Sequence, residues 1–506
     1  MARKTATATA SASKPKPKPG ARVSGEASKD AGHATKKGSI IFFHPDLGIG
    51  GAERLVVDAA VGLQERGNKV VIFTNHCDPK HCFDECRDGT LDVRVRASGP
   101  IPIAILGRLT IFCAILRHVY LLLITSLTGE LASLRPRALV VDQLSAGLPL
   151  MQYLLPDSPI LFYCHFPDLH LARGREFALK RMYRIPFDKL EEWSMGFGNA
   201  VAVNSKFTGG IVSDTWPGLR NILPIKVLYP CVDTTPLGRD EEKLERKNAE
   251  RILRGDKVIL SINRFERKKD IGLAVRAFAA IPAEQRQGVR LVLAGGYDSR
   301  IAENVEYHKE LQQLCATLSL THHTQKTSLL ETSPPPCSEA PVLFLLSVPN
   351  DVKAALLRSA RLLTYTPQNE HFGIVPIEAM RSRLPVLATS TGGPTETVLH
   401  DVTGWLYAAD DLESWTATMA RCLSMGDAQL RKMGEAGAER VSELFGRDKM
   451  AQSFEDAVTE MRSSKARRHV AFNIALNLVA IGFAFGIGLG IAFFVRNVLG
   501  RKVPLP

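Results

Sequence analysis

The segment EHFGIVPIEAM, residues 370–380, holds Glu370 and Glu378 on either side of seven residues that are mostly apolar. The apolar runs ARLLTYT before it and PVLATST after it are typical of short buried strands. Pro376 is tolerated in the first turn of a helix, so the segment predicts a strand–loop–helix junction. Glu370 is expected in the loop and Glu378 in the first turn of the helix. The free amides and dipole of that turn favour an anion between the two carboxylates.

The same alternation of strands and helices runs through most of the chain and predicts an α/β fold. Short β-rich runs alternate with helical segments such as AERLVVDAAVGLQERG, which predicts parallel sheets covered on both faces. The pattern restarts near residue 257, so we predict two doubly wound, Rossmann-like domains, residues 39–228 and 229–460. A ligand is expected at the carboxyl ends of the strands, in the cleft between the domains. The strands are predicted in SIIFFHP, KVVIFTN, ALVVDQ, ILFYCHF and NAVAVNS, then in KVILSINR, VRLVLAGG, PVLFLLS, ARLLTYT and PVLATST. The insert HHTQKTSLLETSPPPCSEA, residues 322–340, predicts a polar surface loop.

The net charge of +12 is concentrated at the amino terminus. Residues 1–38 hold nine Lys and Arg against two acidic residues, a net +7, in a stretch that includes SKPKPKPG. Such a stretch cannot bury a core and predicts a disordered tail, either solvated or in contact with anionic lipid. It has no apolar core of a cleavable signal peptide. Because most of the excess charge lies in the tail, the basic composition does not indicate a nucleic-acid-binding protein.

The nine cysteines are odd in number and scattered, which does not indicate a disulfide framework. The densest group, NHCDPKHCFDEC, contains Cys77, Cys82 and Cys86. It lacks the paired spacing that a zinc site requires, and we therefore assign no metal ligands.

Residues 470–495 contain no charged side chain. These 26 residues would reach about 39 Å as a helix, enough to cross a bilayer core of about 30 Å. The segment predicts a transmembrane helix or a glycine-bent hairpin, with a buried soluble helix as the alternative. Basic residues flank both ends, so charge does not decide the orientation.

A second apolar stretch, residues 101–128, is interrupted by Arg108, Arg117 and His118. An arginine in mid-bilayer costs about 2.5–3.5 kcal/mol, which disfavours a spanning helix. We expect a helix lying in the membrane interface. A helix packed in a soluble core is the alternative.

Two motifs of the amino-terminal half carry candidate chemistry. In DLGIGGAERLVVDAA, Gly48, Gly50 and Gly51 allow a tight turn before a helix that starts near Glu53, although the spacing is not that of a dinucleotide fingerprint. A purely structural turn is the alternative. In CHFPD, His165 and Asp168 follow a strand and are expected to face the cleft. His165 could hydrogen-bond a sugar hydroxyl or a developing charge, or be a loop residue without a role.

The carboxyl-terminal half adds cations and glycines at strand ends. In INRFERKKD, Arg264 and Lys269 could converge on a diphosphate, unless the run is only a solvated charge cluster. Such cations can stabilise a leaving diphosphate without a metal. LVLAGG places Gly295 where a base or ribose could approach the backbone. STGGPTE places Gly392 and Gly393 beside a ligand, with Glu396 entering a helix. A structural turn is the alternative for both glycine motifs.

Taken together, GGAER, HFPD, NSKFT, NRFERKKD and EHFGIVPIEAM resemble a retaining glycosyltransferase of family 4, with the GT-B fold. The resemblance covers residues 39 to about 460. It implies two Rossmann-like domains that face a cleft, to which the composition of residues 470–495 adds a predicted carboxyl-terminal membrane helix. It also implies a GDP-mannose donor, a dolichyl-diphosphate-linked mannosyl-chitobiose acceptor and addition of an α-1,3 and then an α-1,6 mannose. The expected location is the endoplasmic reticulum membrane with the catalytic domains facing the cytosol.

The resemblance also assigns residues to roles. Arg264 and Lys269 would hold the GDP diphosphate, Glu370 would lie beside the mannose, and Glu378 would bind the ribose. His165 would lie near the transferred sugar. The remaining donor contacts would come from Gly295, Phe372, Gly373, Ile374 and Val375, and the acceptor contacts from Gly50, Gly51, Glu53 and Asp168. No cofactor is required by these motifs, although magnesium could assist the diphosphate. Membrane lipid and other enzymes of the same pathway are expected partners.

Two alternatives remain open at the level of sequence. The chain could be another family-4 membrane enzyme, such as an α-1,2-mannosyltransferase or an N-acetylglucosaminyltransferase, or a non-catalytic membrane scaffold. The four residues Arg264, Lys269, Glu370 and Glu378 argue against a scaffold. One departure concerns the helix end, where Arg383 occupies a position that is glycine in many relatives.

Overall fold

The computed structural model describes residues 38–105, 109–171, 178–234, 256–326 and 340–463. Within them lie two sheets, each of seven strands and entirely parallel. The predicted tail, the apolar segment 470–495 and most of the 322–340 insert lie outside the described residues. The predicted α/β architecture of two Rossmann-like domains is confirmed.

The first sheet forms the amino-terminal domain and has the strand order β3-β2-β1-β4-β5-β6-β7. Alternate residues of its strands enter different cores: Ile40 and Phe42 face one layer, and Ile41 and Phe43 face the other. Its strands are β1 (Ser39–Leu47), β2 (Lys69–Cys77), β3 (Asp92–Val95), β4 (Pro136–Asp142), β5 (Ile160–Cys164), β6 (Ala200–Val203) and β7 (Ile225–Val227). Its helices are α1 (Gly51–Glu65), α2 (Thr110–Leu127), α3 (Glu130–Ser133), α4 (Leu148–Leu154), α5 (Asp168–Leu171), α6 (Ala178–Met195), α7 (Lys206–Thr215) and α8 (Pro217–Arg220).

The second sheet forms the carboxyl-terminal domain, in the order β10-β11-β9-β8-β12-β13-β14. Its strands are β8 (Lys257–Ile262), β9 (Val289–Gly295), β10 (His322–Lys326), β11 (Val342–Leu346), β12 (Leu362–Tyr365), β13 (Val386–Thr389) and β14 (Gly404–Tyr407). Its helices are α9 (Ile271–Ala280), α10 (Ala302–Thr317), α11 (Asn350–Ser359), α12 (Ile374–Arg381), α13 (Pro394–Thr397), α14 (Leu412–Ser424) and α15 (Asp427–Leu444), and the last helix of the described chain is α16 (Arg447–Ser463).

Strand order reverses at the β1–β4 pair in the first sheet and at the β8–β12 pair in the second. Chains leaving such neighbouring strands diverge to opposite faces and leave a crevice at the carboxyl ends. His165, Lys269 and Glu370 follow strands at or next to these two crevices. The fold therefore gathers residues that are more than 100 positions apart in sequence.

Helix α16 lies within the range predicted for the carboxyl-terminal domain but packs on the first sheet. Its Met450, Ala451 and Phe454 join the core that β1 and α1 build. Just before α16, an isolated β-bridge pairs Val232 with Gly446, so the two segments that connect the domains lie side by side. The physical reason is the apolar face of α16, which completes the layer over α1.

The prediction of a loop throughout residues 322–340 is wrong at its start. His322–Lys326 forms β10, a parallel strand at the edge of the second sheet that pairs with β11. An edge strand exchanges backbone hydrogen bonds on one side only and tolerates polar side chains. The polar composition of HHTQK therefore did not indicate a strand.

Within the apolar stretch 101–128, Thr110–Leu127 forms helix α2, which packs on the first sheet by one face. Its buried residues are Cys113, His118, Leu121, Leu122 and Thr125. Among the described residues it alone is long and apolar enough to cross a membrane, with a mean hydropathy of 1.8. Its remaining face is partly exposed, so packing on the sheet leaves apolar surface available.

Arg383 lies two positions after the last residue of helix α12, in the left-handed conformation with φ of 59°. The amides of Arg383 and Leu384 donate to the carbonyls of Met380 and Ala379, which is the Schellman pattern that favours glycine at this position. A residue with a side chain is strained in this conformation.

Replacing Arg383 with glycine is expected to raise the free energy of unfolding by about 1 kcal/mol, because a left-handed side-chain-bearing residue costs about that much. Urea denaturation measures it. Arg381→Gly, inside the same helix, is expected to lower stability by a similar amount. Equal effects of the two glycines would contradict this explanation.

Candidate active site

In the carboxyl-terminal domain, the candidate active site is centred on an ion pair between Lys269 and Glu370. Lys269 ends a short 3-10 turn after β8, and Glu370 follows β12, so the reversal of strand order brings them together. The Lys269 side chain is only 13% exposed and the Glu370 side chain 21%. The backbone carbonyl of Lys269 accepts a hydrogen bond of 2.7 Å from Thr366 Oγ1, which fixes the turn to β12.

This pair determines the charge of Glu370. Burial by itself would raise the pKa of the Glu370 carboxyl, but the charge and hydrogen bond of Lys269 outweigh burial, and the net shift is downward. The nearby Tyr365 hydroxyl is held far above its usual pKa by burial and by the Glu370 charge. Glu370 is therefore an anion at neutral pH, beside a tyrosine that stays protonated.

Glycines allow the Glu370 loop to pack against the loop after β13. A Cβ on Gly393 would meet the Phe372 carbonyl oxygen at 2.1 Å, and the Gly393 amide donates to the Glu370 carbonyl at 2.8 Å. Gly295 has φ of 147°, and a Cβ there would meet the Asn263 carbonyl oxygen at 2.0 Å. The close approach of neighbouring backbone explains why both positions are glycine without any ligand. This agrees with the interpretation of the two motifs as structural turns.

Glu378 lies one turn deeper in helix α12 than predicted, because the helix begins at Ile374. Gly373 precedes it, and no side chain caps this helix start. Glu378 Oε1 accepts a hydrogen bond of 2.6 Å from Lys353 on α11. Glu378 Oε2 is buried and has no hydrogen-bond partner among the described residues. One carboxylate oxygen is thus held in place, and the other lacks a partner.

Arg264 does not join the Lys269–Glu370 pair. Its side chain is 64% exposed and its guanidinium pairs with Glu266 at 3.0 Å. The side chain lies beside Gly296, where a Cβ would meet Arg264 Cγ at 3.2 Å. The predicted convergence of Arg264 and Lys269 is therefore not formed by the protein's own contacts.

On the amino-terminal side, His165 belongs to a buried chain of polar groups that the sequence did not indicate. His165 Nε2 lies 3.0 Å from Asp142 Oδ2, and His44 Nδ1 lies 2.8 Å from Asp142 Oδ1. On its other side, His44 Nε2 is 4.0 Å from Glu53 Oε1. The polar chain therefore runs Glu53–His44–Asp142–His165, from the start of α1 to the cleft end of β5.

Asp142 and His44 are almost fully buried, and each shifts the pKa of the other toward its charged form. Burial would raise the pKa of the Asp142 carboxyl, but the two imidazoles lower it to about 2. Burial would lower the pKa of the His44 imidazole, yet Asp142 and Glu53 raise it overall. Asp142 ends β4 in VVD, and His44 follows the apolar run IIFF within β1. A polar residue directly after an apolar run was the signal available in the sequence.

The remaining predicted acceptor residues lie around this polar chain. Gly50 is the extended residue before α1, and a Cβ on it would collide with the Glu53 carboxylate at 2.3 Å. A Cβ on Gly51 would meet no atom within 4 Å. Asp168 pairs with Arg184 of α6 rather than with the polar chain.

The cysteine-rich segment does not assemble a metal centre in the part of the chain that the structure describes. Cys77, Cys82 and Cys86 are free thiols. No group of three or more His, Cys, Asp or Glu residues is arranged there to hold a metal ion.

Comparisons with known proteins agree with this geometry. The family described as "Glycosyltransferase Family 4" matches residues 49–236, and "Glycosyl transferases group 1" matches residues 242–331 and 339–440. Among solved structures, sucrose-phosphate synthase from Thermosynechococcus elongatus has a TM-score of 0.60 at 19% identity, covering 84% of this chain and 99% of that one. Anabaena HepE in complex with UDP and glucose has a TM-score of 0.59 at 18% identity, covering 84% of this chain and 100% of that one. At these identities the likeness shows the GT-B fold alone.

Sequence relatives decide the family. The chain is 56% identical to the alpha-1,3/1,6-mannosyltransferase of Neurospora crassa over 85% of this chain and 92% of that one. It is 47% identical to the enzyme of that name from Schizosaccharomyces pombe, over 83% and 80% of the two chains. The chain belongs to the alpha-1,3/1,6-mannosyltransferase family. It is therefore a glycosyltransferase with the GT-B fold, and the resemblance found in its motifs is confirmed.

In this mannosyltransferase, the Glu370 loop also contacts the amino-terminal domain. The His371 carbonyl accepts a hydrogen bond from Ser205, and its ring stacks on Phe166 with centroids 3.7 Å apart. Glu396 accepts hydrogen bonds of 2.8 and 2.9 Å from the amides of Lys206 and Phe207 at the start of α7. The NSKFT motif is thus part of the contact between the domains, and Glu396 binds a helix start there.

A cavity of about 360 Å³ opens beside His165 in the amino-terminal domain of the mannosyltransferase. Its walls come from the start of α1, from α2, α6 and the loop after β4. The lining residues are Ala52, Ile111, Ile115, Gln143, Leu144, Ser145, Ala146, Phe162, Cys164, His165, Phe166, Asp168, Phe187, Leu190 and Glu191. It is a largely apolar pocket with a few polar groups, which is the composition typical of ligand sites.

Proposed function

We propose that this protein transfers mannose from GDP-mannose to a dolichyl-diphosphate-linked mannosyl-chitobiose, forming an α-1,3 and then an α-1,6 linkage in N-glycan precursor assembly. The names of the relatives supply the linkages. The observation that carries the donor half is the Lys269–Glu370 ion pair at the β8–β12 reversal, beside an uncapped helix start. A nucleotide diphosphate matches this site because both the ammonium and the free amides attract its oxygens.

The donor is expected to lie across the carboxyl-terminal crevice. Lys269 would neutralise charge on the departing GDP, and this stabilisation grows as the glycosidic bond breaks. Exposed Arg264 would turn from Glu266 to the same diphosphate. The amides of Ile374 and Val375 would add donors, and the unpartnered oxygen of Glu378 would accept from the ribose.

Glu370 is expected to position the mannose rather than attack it. Its carboxylate is bound by Lys269, which lowers both its basicity and its nucleophilicity. In a front-face departure the leaving phosphate takes the proton of the attacking hydroxyl as the new bond forms on the same face. No covalent glycosyl-enzyme is then required, in contrast to a retaining glycosidase. His165 faces this reaction from the opposite domain.

The test is a transfer assay with purified protein in lipid. A synthetic mannosyl-chitobiosyl diphosphate lipid would be offered with GDP-mannose, UDP-N-acetylglucosamine or UDP-glucose, with and without EDTA. Two hexoses gained from GDP-mannose alone, one removed by an α-1,3-mannosidase and one by an α-1,6-mannosidase, are the expected products. One hexose, or transfer from another donor, would assign the chain to another family-4 reaction.

We further propose that the enzyme acts at the endoplasmic reticulum membrane with both domains facing the cytosol, and that α2 lies at the lipid surface. Helices α2, α4 and α6 are neighbours in the fold. They expose large apolar side chains to solvent: Leu127, Tyr153, Met182 and Ile185. Exposed apolar side chains from adjacent helices support a surface that meets lipid.

Replacing the partly exposed Leu116 and Leu123 together with the exposed Leu127 by serine is expected to weaken binding to lipid vesicles. The host would be a chain that ends at residue 463, which retains both sheets. Co-sedimentation with anionic vesicles measures it, and the matched control is the serine replacement of Leu444, which is exposed in the other domain. Equal partitioning of all variants would exclude α2 from the membrane contact.

A further inference from the structure

Glu191 of helix α6 lines the cavity beside His165. The Asp168 amide points at Glu191 Oε1 at a distance of 3.4 Å. The Glu191 carbonyl accepts hydrogen bonds from Ser145 at 3.3 Å and from Ser194 at 3.2 Å. These contacts fix the backbone of α6 to the loop after β4 and hold the carboxyl group at the cavity wall.

The charged and titratable groups around Glu191 leave it without a cation of its own among the described residues. Asp168 lies at the start of α5, and Asp188 and Arg184 lie on α6 itself. Arg184 pairs with Asp168 and lies 3.5 Å from Asp188. The thiol of Cys164, at the end of β5, is close enough to interact electrostatically with the Glu191 carboxyl.

This environment favours the neutral acid. Burial, with the charges of Asp168 and Asp188, raises the pKa of the Glu191 carboxyl to about 7. A neutral carboxyl group can donate one hydrogen bond and accept another, whereas a carboxylate can only accept. Close to neutral pH, a substantial fraction of the molecules therefore presents a donor inside the cavity.

We propose that Glu191 binds a hydroxyl group of the acceptor sugar within this cavity, next to Asp168. The inference rests on the proposed function, because it takes the acceptor to be an oligosaccharide. A pyranose has hydroxyls at its edge and C–H groups on its faces. The hydroxyl groups would contact Glu191, Asp168 and His165, and the C–H groups would pack on the apolar walls of the cavity.

A lipid tail is the less favourable occupant of the same space. An isoprenoid chain offers no hydrogen bonds and would bury the Glu191 carboxyl against apolar groups with only the Asp168 amide, at 3.4 Å, beside it. The cavity also lies at the cleft end of β5, where the hydroxyl that attacks the donor has to arrive. The sugar end of the acceptor therefore fits the cavity better than its lipid end.

The test compares Glu191→Gln and Glu191→Leu with the wild type and with Glu192→Gln, a neighbouring carboxylate that does not line the cavity. The KM for the synthetic lipid-linked acceptor is expected to rise about tenfold in the leucine variant, because a buried polar partner is lost. The glutamine variant keeps a donor and an acceptor and is expected to stay within about threefold. Binding of GDP-mannose should match the wild type in every variant, and this readout also reports correct folding.

The pH profile separates binding by the neutral acid from a structural role. As the pH rises from 6 to 8, the wild type loses the proton of Glu191, so its acceptor KM should increase. Glu191→Gln cannot ionise, and its acceptor KM should change less over the same range. An unchanged acceptor KM in Glu191→Leu, or an acceptor KM in the wild type that falls with rising pH, would overturn the proposal. A wild type that transfers no mannose at all would instead contradict the proposed function.

Discussion

Replacing Lys269 with methionine is expected to slow mannose transfer by about 10²–10³-fold, with a smaller effect on folding. The ammonium is the only cation that the described structure places against Glu370 by an ion pair. Removing one such preorganised group at a site of developing charge typically costs about that factor in kcat. Methionine keeps most of the volume of the side chain, so the change tests charge rather than packing.

The measurement is kcat and KM for GDP-mannose, with the thermal midpoint as a control for folding. Lys268→Met is the matched control, because Lys268 is 58% exposed and pairs with Glu266 at 3.2 Å. It is expected to leave kcat within about threefold, as surface ion pairs contribute little.

The double variant Lys269→Met/Glu370→Gln, compared with Glu370→Gln alone, distinguishes catalysis from structure, because Glu370 itself is expected to position the mannose. If Lys269 only neutralises a buried carboxylate, the double variant would match the kcat of Glu370→Gln. If Lys269 stabilises the departing diphosphate, the double variant would recover thermal stability and remain slower than Glu370→Gln. Equal kcat values of these two variants would exclude the catalytic role of Lys269.

Much of the fold could be predicted because local and global signals agree. Runs such as SIIFFHP and KVILSIN are short, β-rich and continuously apolar, as strands buried on both faces must be. Glycines and polar residues follow them at the carboxyl ends, where the crevices form. Strands and helices of this kind are specified by neighbouring residues, so a single sequence reveals them.

What could not be predicted depends on contacts between distant segments. Helix α16 has an ordinary amphipathic sequence, and nothing local shows that it packs on the first sheet. The pairing of Lys353 with Glu378 joins two helices across 25 positions of sequence. Arg264 and Lys269 lie five positions apart, yet Arg264 pairs with Glu266 and Lys269 pairs with Glu370. Their predicted roles in binding the donor stay predictions.

His44 and Asp142 are the omission with the greatest consequence for the site. Each is a polar residue that directly follows an apolar run, and 98 positions separate them. Only the adjacency of β1 and β4 places them in contact. A search for polar residues that follow the apolar runs of the predicted strands would have found both.

Asp142→Asn is expected to lower kcat about 10- to 100-fold by disturbing His165, with little change in the KM for GDP-mannose. Partners that orient a metal-bound histidine typically contribute about 10- to 100-fold, and we expect an effect of the same order for a carboxylate that orients His165. His44 Nδ1 lies 2.8 Å from Asp142 Oδ1 and 2.9 Å from Oδ2, and His165 Nε2 lies 3.0 Å from Oδ2. An asparagine is neutral, and its NH₂ group cannot accept a hydrogen bond. The variant therefore loses the charge that faces both imidazoles and one of the two acceptor oxygens.

Stability should change with pH in a direction that the pKa shifts determine. The pKa of Asp142 is lowered to about 2, so its stabilising contribution is present above its unfolded pKa of about 3.9 and is lost as the pH falls toward 2. The pKa of His44 is raised, so its contribution is present below its unfolded value of about 6.5 and is lost as the pH rises through the folded value. In Asp142→Asn, the loss of stability between about pH 4 and pH 2 should disappear. The variant also lacks the partner that raises the pKa of His44.

Thermal unfolding between pH 3 and 8 and the pH dependence of kcat measure these effects together. Asp46→Asn is the matched control, since Asp46 also lies on β1 but is 42% exposed and pairs with Arg117 outside the polar chain. Asp46→Asn should still lose stability as the pH falls toward 3 and should keep a near-normal kcat. If Asp142→Asn lost stability but kept its kcat and pH–rate profile, the polar chain would be a buried structural network. A lowered kcat with an altered pH–rate profile and an unchanged donor KM would identify Asp142 as the residue that positions His165 for transfer.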